Sequence, residues 1–223
     1  MRSRSSTLNL TFHGVGEPPG PRDPGEERFW LDLESFSSVL DSVVDRPDVR
    51  ITFDDGNASD VVHALPALRR RELTATFFVV AGRLGAPGFL DKTGIRALLD
   101  AGMTIGSHGL SHRPWRGLSD EALHKELFVA RRALEGVAGR PVTEAACPFG
   151  SYDRRVLRGL RRYGYEHVYT SDRDVARPGA WLQPRYSLEA GSGARPADRI
   201  LALETRRAPA LLARARRTAK RWR

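Results

Sequence analysis

The amino-acid sequence predicts an α/β protein in which helices cover a parallel sheet. Three observations carry this. Short runs with an apolar residue at every second position alternate, about seven times over 223 residues, with stretches whose apolar residues recur every three to four positions. Alternation of that kind belongs to parallel sheets, because each crossover is a helix. Polar side chains of catalytic type stand directly after several of the period-two runs, where parallel sheets collect their sites. Pattern alone leaves two forms open, a doubly wound sheet or a small barrel.

The first strand pattern is Leu8-Leu10-Phe12, followed by a Gly/Pro-rich loop from Gly14 to Glu27. A helix is expected over Glu34 to Val44, where Phe36, Val39, Leu40 and Val43 form one stripe. Val49-Ile51-Phe53 is the second strand, and Val61, Leu65 and Leu68 mark the helix after it. Thr74 to Val80 is the third strand, with Ile95, Leu98 and Leu99 on the next helix. Met103-Ile105 starts the fourth. The longest helical stripe follows, Leu123, Leu127, Ala130, Leu134 and Val137, with Ser119 as its N-cap. Thr143 to Cys147, His167-Val168-Tyr169 and Arg185 to Leu188 are the remaining strands. Between the first two of these, Asp153 caps a helix carrying Val156, Leu157 and Leu160.

Composition narrows the class. Hydrophobic residues make up 40%, as in a globular domain, and no stretch reaches the roughly 18 apolar residues of a membrane span. The basic start Met1 to Ser6 leads into an alternating strand rather than a leader's apolar region. The expectation is an uncleaved, cytoplasmic protein. Cys147 is the sole cysteine, so no intrachain disulfide can form.

The net charge of +9 is not spread along the chain: after Glu204 there are eight basic residues, Arg206 to Arg223, and no acid. The first 205 residues are therefore nearly neutral. Residues 206–223 are expected to form a basic, helical tail. It is either simply solvated or a contact for nucleic acid, an acidic partner or, the favoured contact, anionic lipid at the inner membrane face. Charge confined to a tail does not describe a nucleic-acid-binding body.

Four groups end strand patterns: His13-Gly14, Asp54-Asp55-Gly56, Ser107-His108-Gly109-Leu110-Ser111-His112 and Pro148-Phe149-Gly150. His108 and His112, four apart, can reach one ion, and two imidazoles with one carboxylate form a common catalytic zinc set. Taken alone the pair reads more readily as caps or surface histidines. Asp54-Asp55-Gly56 taken alone could be a turn. Two like charges ending an apolar strand nevertheless call for a compensating cation or proton. Adjacent side chains diverge, so one carboxylate can bind a metal while the other accepts a proton from water.

Thr52-Phe53-Asp54-Asp55-Gly56, the His108/His112 pair and Pro148-Phe149-Gly150 resemble the motifs of the polysaccharide deacetylases, the NodB-homology or carbohydrate esterase family 4 group. Asp55 and His108 are 53 positions apart, and the resemblance spans about residues 7–190. It implies a distorted barrel of about seven strand–helix units as the catalytic domain, residues 1–205, and an N-acetylated carbohydrate as substrate. It also implies Asp54 as general base, and Asp55, His108 and His112 as ligands of a divalent metal, usually zinc, sometimes cobalt or nickel. The Phe149 N–H would help to hold the oxyanion, with Pro148 and Gly150 beside it at the substrate.

Two positions depart from the family pattern. Ala146 stands where an arginine usually orients the base, and no histidine follows His167. A circularly permuted subgroup of the poly-N-acetylglucosamine deacetylase type starts instead with a strand ending in a histidine that serves as the acid. Leu10-Thr11-Phe12-His13 and Ala146-Cys147-Pro148-Phe149-Gly150 are similar to its segments. Parity places His13 with Asn9 and Thr11, on the polar side of the first strand. His13 is thus the candidate general acid, and Arg185 the candidate replacement for the arginine. Among the tryptophans, Trp115 is the choice for stacking on a sugar ring, because it closes the loop after His112. Two other readings stay open: an amidohydrolase of a non-carbohydrate amide or imide, and a non-catalytic protein binding through its basic tail.

Overall fold

The computed structural model describes residues 6–18, 25–177, 179–190 and 218. The chain runs β1 (Leu8–Phe12), β2 (Gly14–Val15), β3 (Trp30–Leu31), α1 (Leu33–Val43), β4 (Val49–Phe53), α2 (Leu65–Arg69) and β5 (Ala75–Val79). It continues through α3 (Lys92–Asp100), β6 (Thr104–Ser107), α4 (Asp120–His124), α5 (Ala130–Ala138), β7 (Glu144–Ala146), α6 (Arg154–Arg162), β8 (His167–Thr170) and β9 (Leu182–Ser187). Seven parallel strands close into a barrel in the order β1-β4-β5-β6-β7-β8-β9. β1 closes it, pairing β4 from Leu8↔Val49 to Phe12↔Phe53 and β9 from Asn9↔Arg185 to Thr11↔Ser187. The choice between open sheet and barrel is thereby settled in favour of the barrel.

The helices are those the apolar stripes predict. Phe36, Val39, Leu40 and Val43 are the buried residues of α1. Ser119 and Asp153 cap α4 and α6 by accepting from the N–H of Ala122 and Val156. Each such cap contributes about 1 kcal/mol by satisfying an N–H that the helix leaves free. The outer strand faces form the main core. The rings of Phe12, Phe53 and Phe77 stack across adjacent strands at 5.1 and 4.6 Å, and Phe36 of α1 meets Phe12 edge-on at 5.0 Å.

The inner faces are equally buried and mixed: polar on β1, β4 and β9, with Phe78, Ala146 and Tyr169 as an apolar cluster. Asn9 donates to Gln183 Oε1 (3.1 Å) and to the Pro184 carbonyl (3.0 Å), and the Thr11 and Thr52 hydroxyls lie 3.0 Å apart. The polar side of the first strand therefore faces the barrel lumen rather than water. Period two identifies two faces but not which of them is wet.

Three expectations need correction. The last strand begins at Leu182, not Arg185, and holds Pro184 within it. Proline lacks an N–H and reads as a strand edge, but here its carbonyl has a partner in Asn9. The Gly14 to Glu27 stretch is not wholly a loop, since β2 pairs with β3 in a separate parallel two-stranded sheet. No helix joins β8 to β9 among the described residues, so the strand–helix alternation fails at its last step. The basic tail over 206–223 lies outside the described residues, except Thr218.

Candidate active site

A pocket opens at the carboxyl end of the barrel. It is lined by His13, Glu26, Arg28, Phe29, Asp54, Asp55, His108, His112, Phe149, Ser171, Arg173 and Ser187. Parallel strands all deliver their carboxyl ends to one rim, which is why residues far apart in sequence meet here. Asp54 and Asp55 leave β4, with the Asp54 N–H donating to the Phe12 carbonyl at 2.9 Å. His13 leaves β1, and its carbonyl accepts from Asn57 Nδ2 at 2.8 Å, tying it to the Asp54-Asp55 turn. The His13 imidazole stacks on Phe29, centroids 4.7 Å apart. His108 leaves β6, its N–H donating to the Val79 carbonyl at 2.9 Å.

Asp55, His108 and His112 each offer a ligand atom, and these all lie within 4.8 Å of one another. Asp55 Oδ1 is 3.1 Å from His112 Nε2 and 3.7 Å from His108 Nε2. A tetrahedral divalent ion with bonds of about 2.0–2.1 Å spaces its ligands roughly 3.3 Å apart, so the three groups could hold one. Two further observations agree. Asp55 Oδ1 is buried without a hydrogen bond, which is costly for an oxygen that has no cation to meet. His108 Nδ1 lies 2.9 Å from the Ala146 carbonyl. Donation there leaves the Nε2 lone pair facing Asp55 and His112, the way a backbone carbonyl orients a histidine that binds a metal.

Burial and charge pairing shift the titratable groups of the site in different directions. Burial raises the Asp54 carboxyl, but Arg185, helped by His108 and His13, outweighs it and holds Asp54 below its ordinary value. Arg185 donates from Nη1 to Asp54 Oδ1 and from Nη2 to Oδ2, both at 2.7 Å, and from Nη1 to Thr52 Oγ1 at 3.1 Å. Asp55 is likewise held low: burial opposes it, and the contact with His112 is the chief stabiliser of its ionised form. Burial pushes His108 down to about 4, keeping it a neutral donor. For His112 burial works downward too, but the Asp55 contact outweighs it and raises the imidazole.

Backbone strain concentrates at the same rim. Asp55 (φ 79°), His112 (49°), Phe149 (56°) and Arg173 (52°) are four of the five non-glycine residues with positive φ among the described residues, and all line the pocket. Each such conformation costs of order 1–3 kcal/mol and persists only where the surroundings hold it.

The sequence-derived candidates divide. His13, Asp54, Asp55, His108, His112 and Phe149 share the pocket. Arg185 reaches it through Asp54 from inside the barrel, 1% exposed. Trp115 is a correction: it is fully buried in a cluster with Leu123, Leu127 and Tyr165, so its ring offers no face to a sugar. The loop it closes folds inward because burying an indole is worth more than placing it at the rim. Pro148 and Gly150 are also buried and do not line the pocket. They shape the 3₁₀ turn that presents Phe149, and at Gly150 (φ 59°) a Cβ would stand 2.9 Å from Ser171 Cβ. Phe149 itself is 62% exposed, its ring 4.7 Å from His112. Missed from sequence were Glu26, Arg28, Phe29, Ser171, Arg173 and Ser187. Ser171 directly follows β8 and Ser187 ends β9, so the strand-end rule that found the other groups would have found these two.

Comparison with known proteins follows the same outline. A family model described as polysaccharide deacetylase matches residues 41–168. The curated protein named "Putative polysaccharide deacetylase YxkH", of Bacillus subtilis (strain 168), is 26% identical over 128 residues, 57% of this chain and 46% of that protein. The chain thus spans about half the length of the curated relatives it matches. Among solved structures, Streptococcus pyogenes deacetylase PplD in complex with acetate superposes with a TM-score of 0.76 at 18% identity, covering 90% of this chain and 99% of that one. IcaB from Ammonifex degensii superposes with a TM-score of 0.73 at 21% identity, covering 89% and 97%. Likeness at this level of identity shows a shared barrel fold.

Proposed function

Since the chain belongs to the polysaccharide deacetylase family, we propose that it is a metal-dependent hydrolase that removes N-acetyl groups from an N-acetylhexosamine-containing glycan or glycan intermediate. The observation that carries this is the convergence of Asp55, His108 and His112 beside an Asp54 that Arg185 keeps ionised. Asp55, His108 and His112 would hold a divalent cation, zinc first, with cobalt or nickel as substitutes. When bound, such an ion supplies Lewis acidity to the acyl oxygen and to the attacking water.

The chain's own residues do the rest. Asp54 takes the proton from the water, which requires a carboxylate at working pH, and the Arg185 pair meets that requirement. The N–H of Phe149, in the strained turn after β7, donates to the oxyanion of the tetrahedral intermediate. His13, on the opposite wall, gives a proton to the departing amine as the C–N bond breaks. The family match begins at residue 41 and ends at 168, so His13, just after β1, and Arg185, on β9, both fall outside it; these two strands pair to close the barrel. That placement supports a permuted site in which β1 provides the acid and β9 the arginine.

The test is acetate release from a panel of N-acetylhexosamine glycans, with ureides and cyclic imides as comparison substrates. Release should stop with a chelator, return with zinc, and be lost in Asp54→Asn. Turnover of the imides alone would move the substrate class. Full activity in Asp54→Asn would refute the mechanism.

A further inference from the structure

Glu126 is a buried acid that no step above uses. It is 3% exposed and lies in a π-helical turn, Lys125–Val129, that joins α4 to α5. One of its oxygens, Oε2, accepts from the N–H of Leu110 at 2.8 Å and of Ser111 at 3.3 Å, and Oε1 accepts from the Ser111 hydroxyl. Leu110 and Ser111 are the middle of the segment whose ends are His108 and His112. The π-turn widens the helix by one residue per turn at the point where this carboxylate must turn inward, and such turns are frequent at functional sites. Gly109 makes room for the approach. A Cβ there would stand 2.5 Å from Glu126 Oε2 and 3.0 Å from Trp115 Nε1.

We propose that Glu126 is a positioning residue for the metal site: its carboxylate anchors the His108–His112 segment and so sets the separation and aim of the two imidazoles. This rests on the metal-site reading of Asp55, His108 and His112 above. The segment is held from both sides. The N–H groups of Ala81 and Gly82, after β5, donate to the carbonyls of Gly109 (2.9 Å) and Leu110 (2.8 Å), while Glu126 takes the N–H groups. Without it, two loop N–H groups lose their acceptor in a half-buried setting. The positive φ of His112 then loses one of the contacts that sustain it. The imidazoles would still be present but no longer held at metal-binding spacing.

The test is zinc affinity of the full chain, measured by competition against a chromophoric chelator at a temperature well below unfolding. The absorption spectrum of the cobalt-loaded protein serves as a second readout of ligand geometry. Glu126→Ala is expected to weaken zinc roughly ten- to a hundredfold, as loss of a residue supporting a metal ligand does, and to alter the cobalt spectrum. Glu126→Gln, which keeps one acceptor oxygen, and Ser111→Ala, which removes one donor, should each weaken it roughly two- to tenfold. These two milder variants carry the test should Glu126→Ala fail to fold. Wild-type zinc affinity and an unchanged cobalt spectrum in the folded variants would overturn the assignment. A wild-type chain that bound no zinc would instead overturn the metal-site reading, and this inference with it.

Discussion

Arg185 and Asp54, 131 residues apart, form a two-pronged ion pair with both bonds at 2.7 Å and both side chains almost wholly buried. The geometry is the fork-on-carboxylate arrangement that arginine makes and lysine cannot. It joins β9 to the end of β4 across the lumen. The guanidinium also lies over the rings of Phe78 (5.2 Å) and Tyr169 (5.8 Å).

Arg185→Met should therefore act on both stability and chemistry. Removing one partner of a buried pair typically costs about 3–5 kcal/mol, readable by urea unfolding. In the wild type the pair's contribution is complete above the unfolded Asp value of about 3.9. It is lost as pH falls through the lower folded value. Without Arg185, burial raises Asp54 against only the weaker pull of His108 and His13, so the acidic limb of kcat/KM against pH should move upward. An unchanged acidic limb would show that Arg185 does not set the state of the base.

His13→Ala should lower kcat on an amide substrate by roughly 10²–10⁴-fold, the usual contribution of a positioned acid, with zinc content unchanged. An aryl acetate ester, whose leaving group departs without a proton, should lose far less. Equal losses on both substrates would assign His13 to binding or structure rather than to proton donation.

Trp115 and Phe149 should separate cleanly. Trp115→Ala is expected to cost about 3–5 kcal/mol of stability, as an aromatic deletion from a packed core does. Phe149→Ala, at an exposed ring, should leave the unfolding midpoint nearly unchanged and raise KM. A large KM effect from Trp115→Ala in a protein of normal stability would contradict the buried placement.

Asp60 gives a pH signature of its own. Both its oxygens are buried without a hydrogen-bond partner among the described residues. Burial first, then the charges of Asp55 and Asp54, pushes the carboxyl well above its ordinary value. Above about pH 4 the unfolded group is ionised while the folded one keeps its proton, so this residue lowers stability as pH rises. Asp60→Asn should remove that slope. In urea unfolding of metal-free protein, the variant should gain on the wild type as pH rises from about 4, by up to about 1.4 kcal/mol per pH unit. Parallel pH curves would show that Asp60 ionises normally.

Much of this molecule was legible in the chain. The helices followed their apolar stripes, because a stripe at helical spacing has only one face to bury. Asp54, Asp55, His108, His112 and His13 were found by one rule, that parallel strands carry their chemistry at their carboxyl ends. The pocket residues Glu26, Arg28 and Phe29 escaped it, because they come from the segment after β2, whose path no local pattern dictates.

The sequence by itself determined the alternation of strands and helices, the set of chemical groups and the strand ends that bear them, because these depend on residue type and short-range period. Residue pattern left closure open and the family resemblance implied it; only the tertiary structure decided that β1 lies between β4 and β9 and that the polar face of β1 looks into a buried lumen. Closure depends on strand registers set between residues far apart in the chain, which no local window contains. That same closure brought Arg185 onto Asp54, while packing against Leu123, Leu127 and Tyr165 made Trp115 core. A tryptophan beside a motif and an arginine beginning a strand look alike in sequence whether they face a site or a neighbouring helix.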